Sequence, residues 1–280
     1  MKKVYALKYF ILFTILQNQS FSQANLLALK IDSIFSKHKA NQAGICINIQ
    51  QNDQTLYYNN FGSHNKTKAF DDFTIVDIGE LKNTFISYTI LYLHQQGKLS
   101  LEDNLLTFFP DIQNKHTAQK IKVWHLLSHT SGIKNNMLSK PDSIAFCKGN
   151  TTIIFNYLNE LSKEPGSEFY YSSFAYQLLA AIITKVSGKN WQDYIKENIF
   201  VPTGMTFTKF SESGSVVTNV VDLKKYAYAI RYCLIYNSET IKLSKLPYTP
   251  KEANKNNLTY YLCWNFSNPV TPLSDAVIFY

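Results

Sequence analysis

The chain has 280 residues, 45% of them hydrophobic and 17% charged, which is enough for one sizeable core and short for two full domains. Its formal charge of +8 rests on 28 basic residues of which only Arg231 is an arginine. With no basic run and almost no arginine to fork onto phosphates and base edges, a nucleic-acid role is excluded. After the N-terminus no stretch approaches the roughly 18 uninterrupted apolar residues of a membrane span, so an integral membrane protein is excluded as well.

In chain order, Lys2 and Lys3 precede an apolar stretch from Tyr9 to Leu16, and small residues follow at Ser20 and Ser22. That order predicts an export signal over residues 1–22 and a periplasmic or extracellular destination. Leu27, Ile31, Ile34 and Phe35 fall at helical spacing within Leu27–His38. Gly44–Gln50 alternates as a strand, Asn52-Asp53 marks a turn, and Thr55–Phe61 reads as the second strand of a hairpin. Leu81, Phe85, Tyr88 and Tyr92 form a helical stripe that Gly97 should stop, and Ser100 with Asp103 has the form of a capping box. Helical patterns continue to about residue 240, as in Ala175–Val186 before Ser187-Gly188 and in Val221–Ile230 with Asp222 near its start. Leu258–Tyr280 is aromatic and partly strand-like, ending in a predicted strand over Asp275–Tyr280. Strands at both ends of a helical middle predict an α+β domain over 23–280, with a helical region of roughly 100–240 inserted between sheet segments. Cys46, Cys147, Cys233 and Cys263 are far apart, lack metal-ligand spacing and sit among apolar residues. They read as buried thiols, with a disulfide as the alternative, and no metal or cofactor is expected.

Several segments recur in one order: Gln95-Gln96-Gly97-Lys98-Leu99-Ser100-Leu101-Glu102-Asp103, Phe109-Pro110, His125-Leu126-Leu127-Ser128-His129-Thr130-Ser131-Gly132-Ile133, Tyr171-Ser172-Ser173, Val186-Ser187-Gly188-Lys189 and Pro202-Thr203-Gly204-Met205. Together they resemble the serine β-lactamase / D-alanyl-D-alanine carboxypeptidase family, over roughly Leu27 to Trp264. The resemblance implies a β-lactamase/transpeptidase-like fold, an antiparallel sheet flanked by helices plus an all-helical region, with the active site between them. It also implies hydrolysis of amides or esters through an acyl-serine, which needs a nucleophile, a base beside it and donors for the oxyanion.

Three motifs carry that chemistry in the family. The first, S-x-x-K, puts serine and lysine on one helix face. Aligned by its neighbours it falls here on Gly79-Glu80-Leu81-Lys82, with lysine present and glycine in the nucleophile position. Glu80 and Leu81 are expected on other helix faces, and Ser87 lies on the wrong side of the lysine. The strings Ser63–Lys66 and Ser131–Lys134 lie in turn-like segments and are read as chance. The second motif, Y-x-N, is half kept: Tyr171 matches, while Ser173 stands where asparagine would contact substrate. The third, K-T-G or H-T-G, is missing between Tyr261-Leu262-Cys263-Trp264 and Tyr280. The C-terminal strands are therefore expected to be truncated, either in a fragment of a longer product or in a degenerate one with an unpaired sheet edge.

Removing the serine of such a machinery costs about 10⁶ in turnover. The expectation is a pseudoenzyme in which Lys82 and Tyr171 are relics and Ser173 faces any ligand, a peptide, a peptidoglycan-like fragment or a small ester or amide. Two alternatives stand beside it: an altered hydrolase in which Lys82 and Tyr171 activate a water in the hole at Gly79, and a non-functional fragment. His129 is expected to hold its own turn rather than act as a base, since no acid or nucleophile motif accompanies it.

Overall fold

The computed structural model describes residues 25–38, 41–51, 54–64, 68–135, 138–158, 161–246, 258–260 and 265–267. The predicted signal segment, the Asn52-Asp53 turn, Cys263 and the predicted strand over 275–280 lie outside the described residues. The chain divides into two compact units at Thr74 and Ile75.

In the first unit, helix α1 spans 25–35, and strands β1 (Ile45–Gln51) and β2 (Gln54–Phe61) pair antiparallel with Ile45 opposite Phe61. The Tyr57 hydroxyl of β2 donates to the Asp32 carboxylate of α1, and Phe35 stacks on Phe61 at 5.1 Å. Gly44 is needed where it sits, because a Cβ there would lie 2.0 Å from the Phe70 ring. Strands β3 (Ser63–His64) and β4 (Lys68–Ala69) form a second small pair. The helix and hairpin read from the sequence are therefore present.

The second unit begins with strand β5 (Val76–Asp77) and a 3₁₀ turn at Gly79–Lys82 that runs into helix α2 (Asn83–Gln95). Every residue of α2 from Thr84 to Leu91 is buried, which explains why its apolar stripe is broad rather than one-sided. Gly97 ends the helix at φ +68°, as its position predicts. Half of the capping box between Ser100 and Asp103 is present: the Ser100 N–H donates to Asp103 Oδ2 at 2.7 Å, while the Asp103 N–H donates to the Ser100 carbonyl and Ser100 Oγ accepts from the Glu102 N–H. They close a turn, however, and not a helix start.

Short helices α3 (Leu105–Phe108), α4 (Lys115–Lys120) and α5 (Val123–Leu127) lead to a buried polar turn over Ser128–Ser131. Helix α6 (Lys140–Cys147) and a 3₁₀ segment, Thr151–Tyr157, precede α7 (Ser173–Ser187), which buries Phe174 to Tyr176 and Leu178 to Ile183. Helices α2, α5 and α7 are stitched by a polar chain in which Ser87 Oγ donates to the Tyr176 hydroxyl, and that hydroxyl donates to the Leu127 carbonyl at 3.0 Å. Helix α8 (Trp191–Ile195) follows, then strands β6 (Lys209–Phe210) and β7 (Val216–Thr218), helices α9 (Val220–Arg231) and α10 (Ser238–Ser244), and a last antiparallel pair, β8 (Leu258–Tyr260) with β9 (Asn265–Ser267).

One small sheet decides where the candidate site lies. Its order is β5-β7-β6, with Val76 opposite Thr218 and Asp77 opposite Val217. It ties the chain just before the 3₁₀ turn to a strand about 140 residues later. Beneath it, the fully buried Asp222 carboxylate accepts from the Phe207 N–H at 2.7 Å and the Thr208 hydroxyl at 2.9 Å, and it pairs with Lys225 at 3.0 Å. Lys225 also donates to the Gly204 carbonyl, which fastens the Pro202–Met205 segment to α9.

The cysteines differ from the expectation of uniform burial. Cys147 is buried, Cys46 is half-buried and Cys233 is exposed, because Cys233 lies past the end of α9 in a turn at φ +54°. Among the described residues no helix is long and apolar enough to cross a membrane. Replacing Asp222 with alanine leaves the Phe207 N–H without its acceptor, the Thr208 hydroxyl with Thr218 alone and Lys225 with the Gly204 carbonyl alone, and a loss of about 2 kcal/mol is expected, read from urea denaturation.

Candidate functional site

Residues 77–83 form the site by a local device. The Asp77 carboxylate accepts the Gly79 N–H at 2.8 Å, an Asx turn, and Gly79 takes φ +52°. The turn sends the chain from β5 into the 3₁₀ segment, whose tighter pitch brings side chains three apart into line. Glu80 and Asn83 therefore face each other, with Asn83 Nδ2 donating to Glu80 Oε2 at 2.8 Å. The Tyr171 hydroxyl donates to the same oxygen at 3.4 Å. Lys82 Nζ lies 3.9 Å from Glu80 Oε1, too far for a hydrogen bond.

This corrects the sequence reading of the first motif. The three-residue pair that also meets Tyr171 is Glu80 with Asn83, one position later than Gly79 with Lys82. Glu80 was expected on another helix face because an α-helix was assumed at a point where the chain is 3₁₀. Gly79 is the glycine of the turn: its φ is the left-handed one that favours glycine, and it does not line the cleft. The position facing Asn83 and Tyr171 holds a carboxylate, and Lys82 sits beside it.

The cleft itself has a volume of about 230 Å³. Glu80, Lys82 and Asn83 form one wall, Ile86, Leu138 and Phe146 supply apolar surface, and Gln177 and Trp191 line it as well. Ser173 is part of the lining, as expected, but its hydroxyl and its N–H both donate to Asn135 Oδ1, at 2.8 and 2.9 Å. Asn135, 38 residues upstream, thus caps α7 in place of a local side chain. Tyr171 touches Glu80 without being part of the lining, and it is 40% exposed. Cys147, which the sequence reading left as a structural thiol, also lines the cleft. Burial pushes its pKa up, against a smaller downward pull from the Lys82 charge, which keeps it a thiol and a weak nucleophile.

The buried turn before the cleft positions Tyr171. The His129 backbone is left-handed at φ +53°, its carbonyl accepts the Tyr170 N–H at 2.8 Å, and its Nδ1 accepts the Ser172 N–H at 3.3 Å. The ring lies 4.6 Å from that of Tyr171 and 4.9 Å from that of Tyr176. Gly132 fits under the Lys163 carbonyl, where a Cβ would come within 2.0 Å. Ser131 is fully buried, and Ser87 Oγ is committed to Tyr176. Among the described residues no serine hydroxyl hydrogen-bonds Lys82 Nζ, and no cluster of side chains has the composition of a metal site.

A β-lactamase family profile matches residues 31–228. The chain belongs to the β-lactamase family. It is 31% identical over 215 residues to penicillin-binding protein 4* of Bacillus subtilis (strain 168), a match that spans 74% of this chain and 44% of that protein, so the chain covers less than half of this relative. Among solved structures, the octameric penicillin-binding protein homologue from Pyrococcus abyssi superposes with a TM-score of 0.68 at 22% identity, over 89% of this chain and 66% of the other. The β-lactamase/D-alanine carboxypeptidase from Pseudomonas syringae superposes at 0.67 and 16% identity, over 89% and 74%. These likenesses establish the α+β, β-lactamase/transpeptidase-like fold.

Burial pushes both His125 and His129 down to about 4, with the Lys122 charge adding to the effect at His125. An unfolded histidine takes its proton near pH 6.5. Below that value the unfolded chain binds protons that the folded chain refuses, so the stability present above pH 6.5 is lost as the pH falls toward 4. For His129 the full loss is on the order of 3 kcal/mol. Urea titrations at pH 7 and pH 4.5 are expected to show it, and His129→Asn, which tolerates the left-handed backbone, should reduce the dependence to what His125 contributes.

Proposed function

We propose that this β-lactamase-family chain is a ligand-binding member that forms no acyl-serine. The observation that carries the reading is the carboxylate of Glu80 in the seat that faces Asn83 and Tyr171. In either register of the first motif, Gly79–Lys82 or Glu80–Asn83, there is no serine, and in the register the geometry favours there is no lysine either. An ionised carboxylate in that seat accepts hydrogen bonds, and it has no proton for a base to remove. The cleft keeps an apolar wall and several polar groups, the makings of a binding site for a peptide, a peptidoglycan-like fragment or a small amide or ester. The sequence order at residues 1–22 supports export to the periplasm or beyond.

The alternative in which Lys82 and Tyr171 activate a water at Gly79 has less support, because both groups face Glu80 and Gly79 lies outside the cleft lining.

The test is incubation of the full chain with a fluorescent penicillin followed by mass spectrometry of the intact protein. No adduct is expected for the wild type. The double variant Glu80→Ser/Asn83→Lys restores the serine–lysine pair beside Tyr171 and is expected to acquire an adduct, whereas Gly79→Ser is not. An adduct on the wild type sinks the proposal, and labelling of Gly79→Ser alone returns the nucleophile position to residue 79.

A further inference from the structure

The segment that brings Tyr171 to Glu80 is tied down by one residue. The His129 carbonyl accepts the Tyr170 N–H at 2.8 Å and His129 Nδ1 accepts the Ser172 N–H at 3.3 Å, so the residues on either side of Tyr171 both bond to His129. The segment has fixed ends beyond them: the Gly166 N–H donates to the Thr130 carbonyl at 2.7 Å, and the Ser173 N–H donates to Asn135. A backbone N–H only donates, so Nδ1 presents its lone pair to Ser172 and the neutral ring carries its proton on Nε2. An added proton goes to Nδ1, where it meets the Ser172 N–H as donor against donor. His129 is only 4% exposed, and its ring packs against Phe169, Tyr171 and Tyr176. The surrounding elements thus bring the phenols of Tyr171 and Tyr176 to the ring. Beyond them, Glu80 accepts from the Tyr171 hydroxyl, Glu168 pairs with Lys163 at 2.7 Å, and His125 Nδ1 accepts the Lys122 N–H.

We infer that His129 is an acid-released latch: a proton taken on Nδ1 breaks its bond to Ser172, frees residues 167–172 between their fixed ends, and draws Tyr171 off Glu80 while the core stays folded. In the latched state burial holds the imidazole down to about 4, against a smaller upward pull from the Ser172 backbone. In the released segment the imidazole meets water and takes its proton near pH 6.5. The latch is therefore whole above pH 6.5 and loses its hold as the pH falls from there toward 4. At pH 4.5 the ratio of released to latched molecules is roughly fifty to a hundred times that at pH 7.5. The latch acts in this way whatever the cleft binds.

Hydrogen exchange of the full chain tests it, read amide by amide by NMR at pH 7.5 and pH 4.5 and corrected for the intrinsic exchange rate. The Tyr170 and Ser172 amides are expected to lose protection roughly fifty-fold or more in acid. Their protection is expected to stay well below that of Ile90 and Leu179, which are fully buried in α2 and α7. His129→Asn places an amide oxygen where Nδ1 stood and tolerates the left-handed backbone at this position. It is expected to keep the protection at neutral pH and to remove the acid loss. His125→Asn is expected to leave the acid loss in place, so the wild type and this variant test the latch even where His129→Asn does not fold. Four outcomes overturn the inference: unchanged protection of Tyr170 and Ser172 in acid, equal protection of all four amides at pH 4.5, an acid loss that persists in folded His129→Asn, or one that disappears in His125→Asn.

Discussion

The hydrogen bond from the Gly79 N–H to the Asp77 carboxylate sets the arrangement of the whole cleft. It bends the chain out of β5 while β7 holds that strand in place, and it starts a 3₁₀ turn rather than an α-helix. In a 3₁₀ turn the side chains at i and i+3 eclipse, so Glu80 must confront Asn83. Tyr171 arrives from the far side on a segment pinned to the buried turn at His129. Two donors from distant stretches of chain, Asn83 and Tyr171, converge on one carboxylate oxygen because of one short turn. Remove the turn and Glu80 swings away from both partners, whatever the rest of the fold does.

The polar interior behind the cleft has a similar logic. Ser128, His129, Thr130 and Ser131 are almost wholly buried, yet their groups are answered by backbone and neighbours, as when Ser128 Oγ bonds the Trp124 carbonyl and the Thr130 hydroxyl. Buried polar groups rigidify a structure only when they are satisfied. This stretch is satisfied, which makes it a rigid base for the segment that carries Tyr171.

Much of the fold was legible because it is written in local pattern. The helix–hairpin start, the stop of α2 at Gly97 and the stop of α7 at Gly188 follow from periodicity and from the left-handed backbone that glycine permits. The order of motif-like segments was enough to indicate the family. The site was legible only in outline. Tyr171, Lys82 and Ser173 do gather near one cleft, but the register of the first motif was off by one, because a sequence pattern does not distinguish a 3₁₀ entry from an α-helical one. The Asp77-x-Gly79 spacing, an Asx-turn signature, was the signal that could have placed Gly79 in the turn and Glu80 in the site. Cys147 and Asn135 were missed for a different reason: their roles come from packing across the unit, and nothing near them in the chain announces it.

The cap on α7 ties two regions that are separate in sequence. Its first amides are held by Asn135, on the loop that leaves the buried turn, and by no residue of its own first turn. When that loop loosens, the helix loses its fastening and Ser173 loses the partner that holds its hydroxyl. The edge of the cleft and the first turn of its longest helix should then open together as one cooperative unit, well below the energy of global unfolding. The mouth of the cleft is in this sense hinged on a single amide side chain.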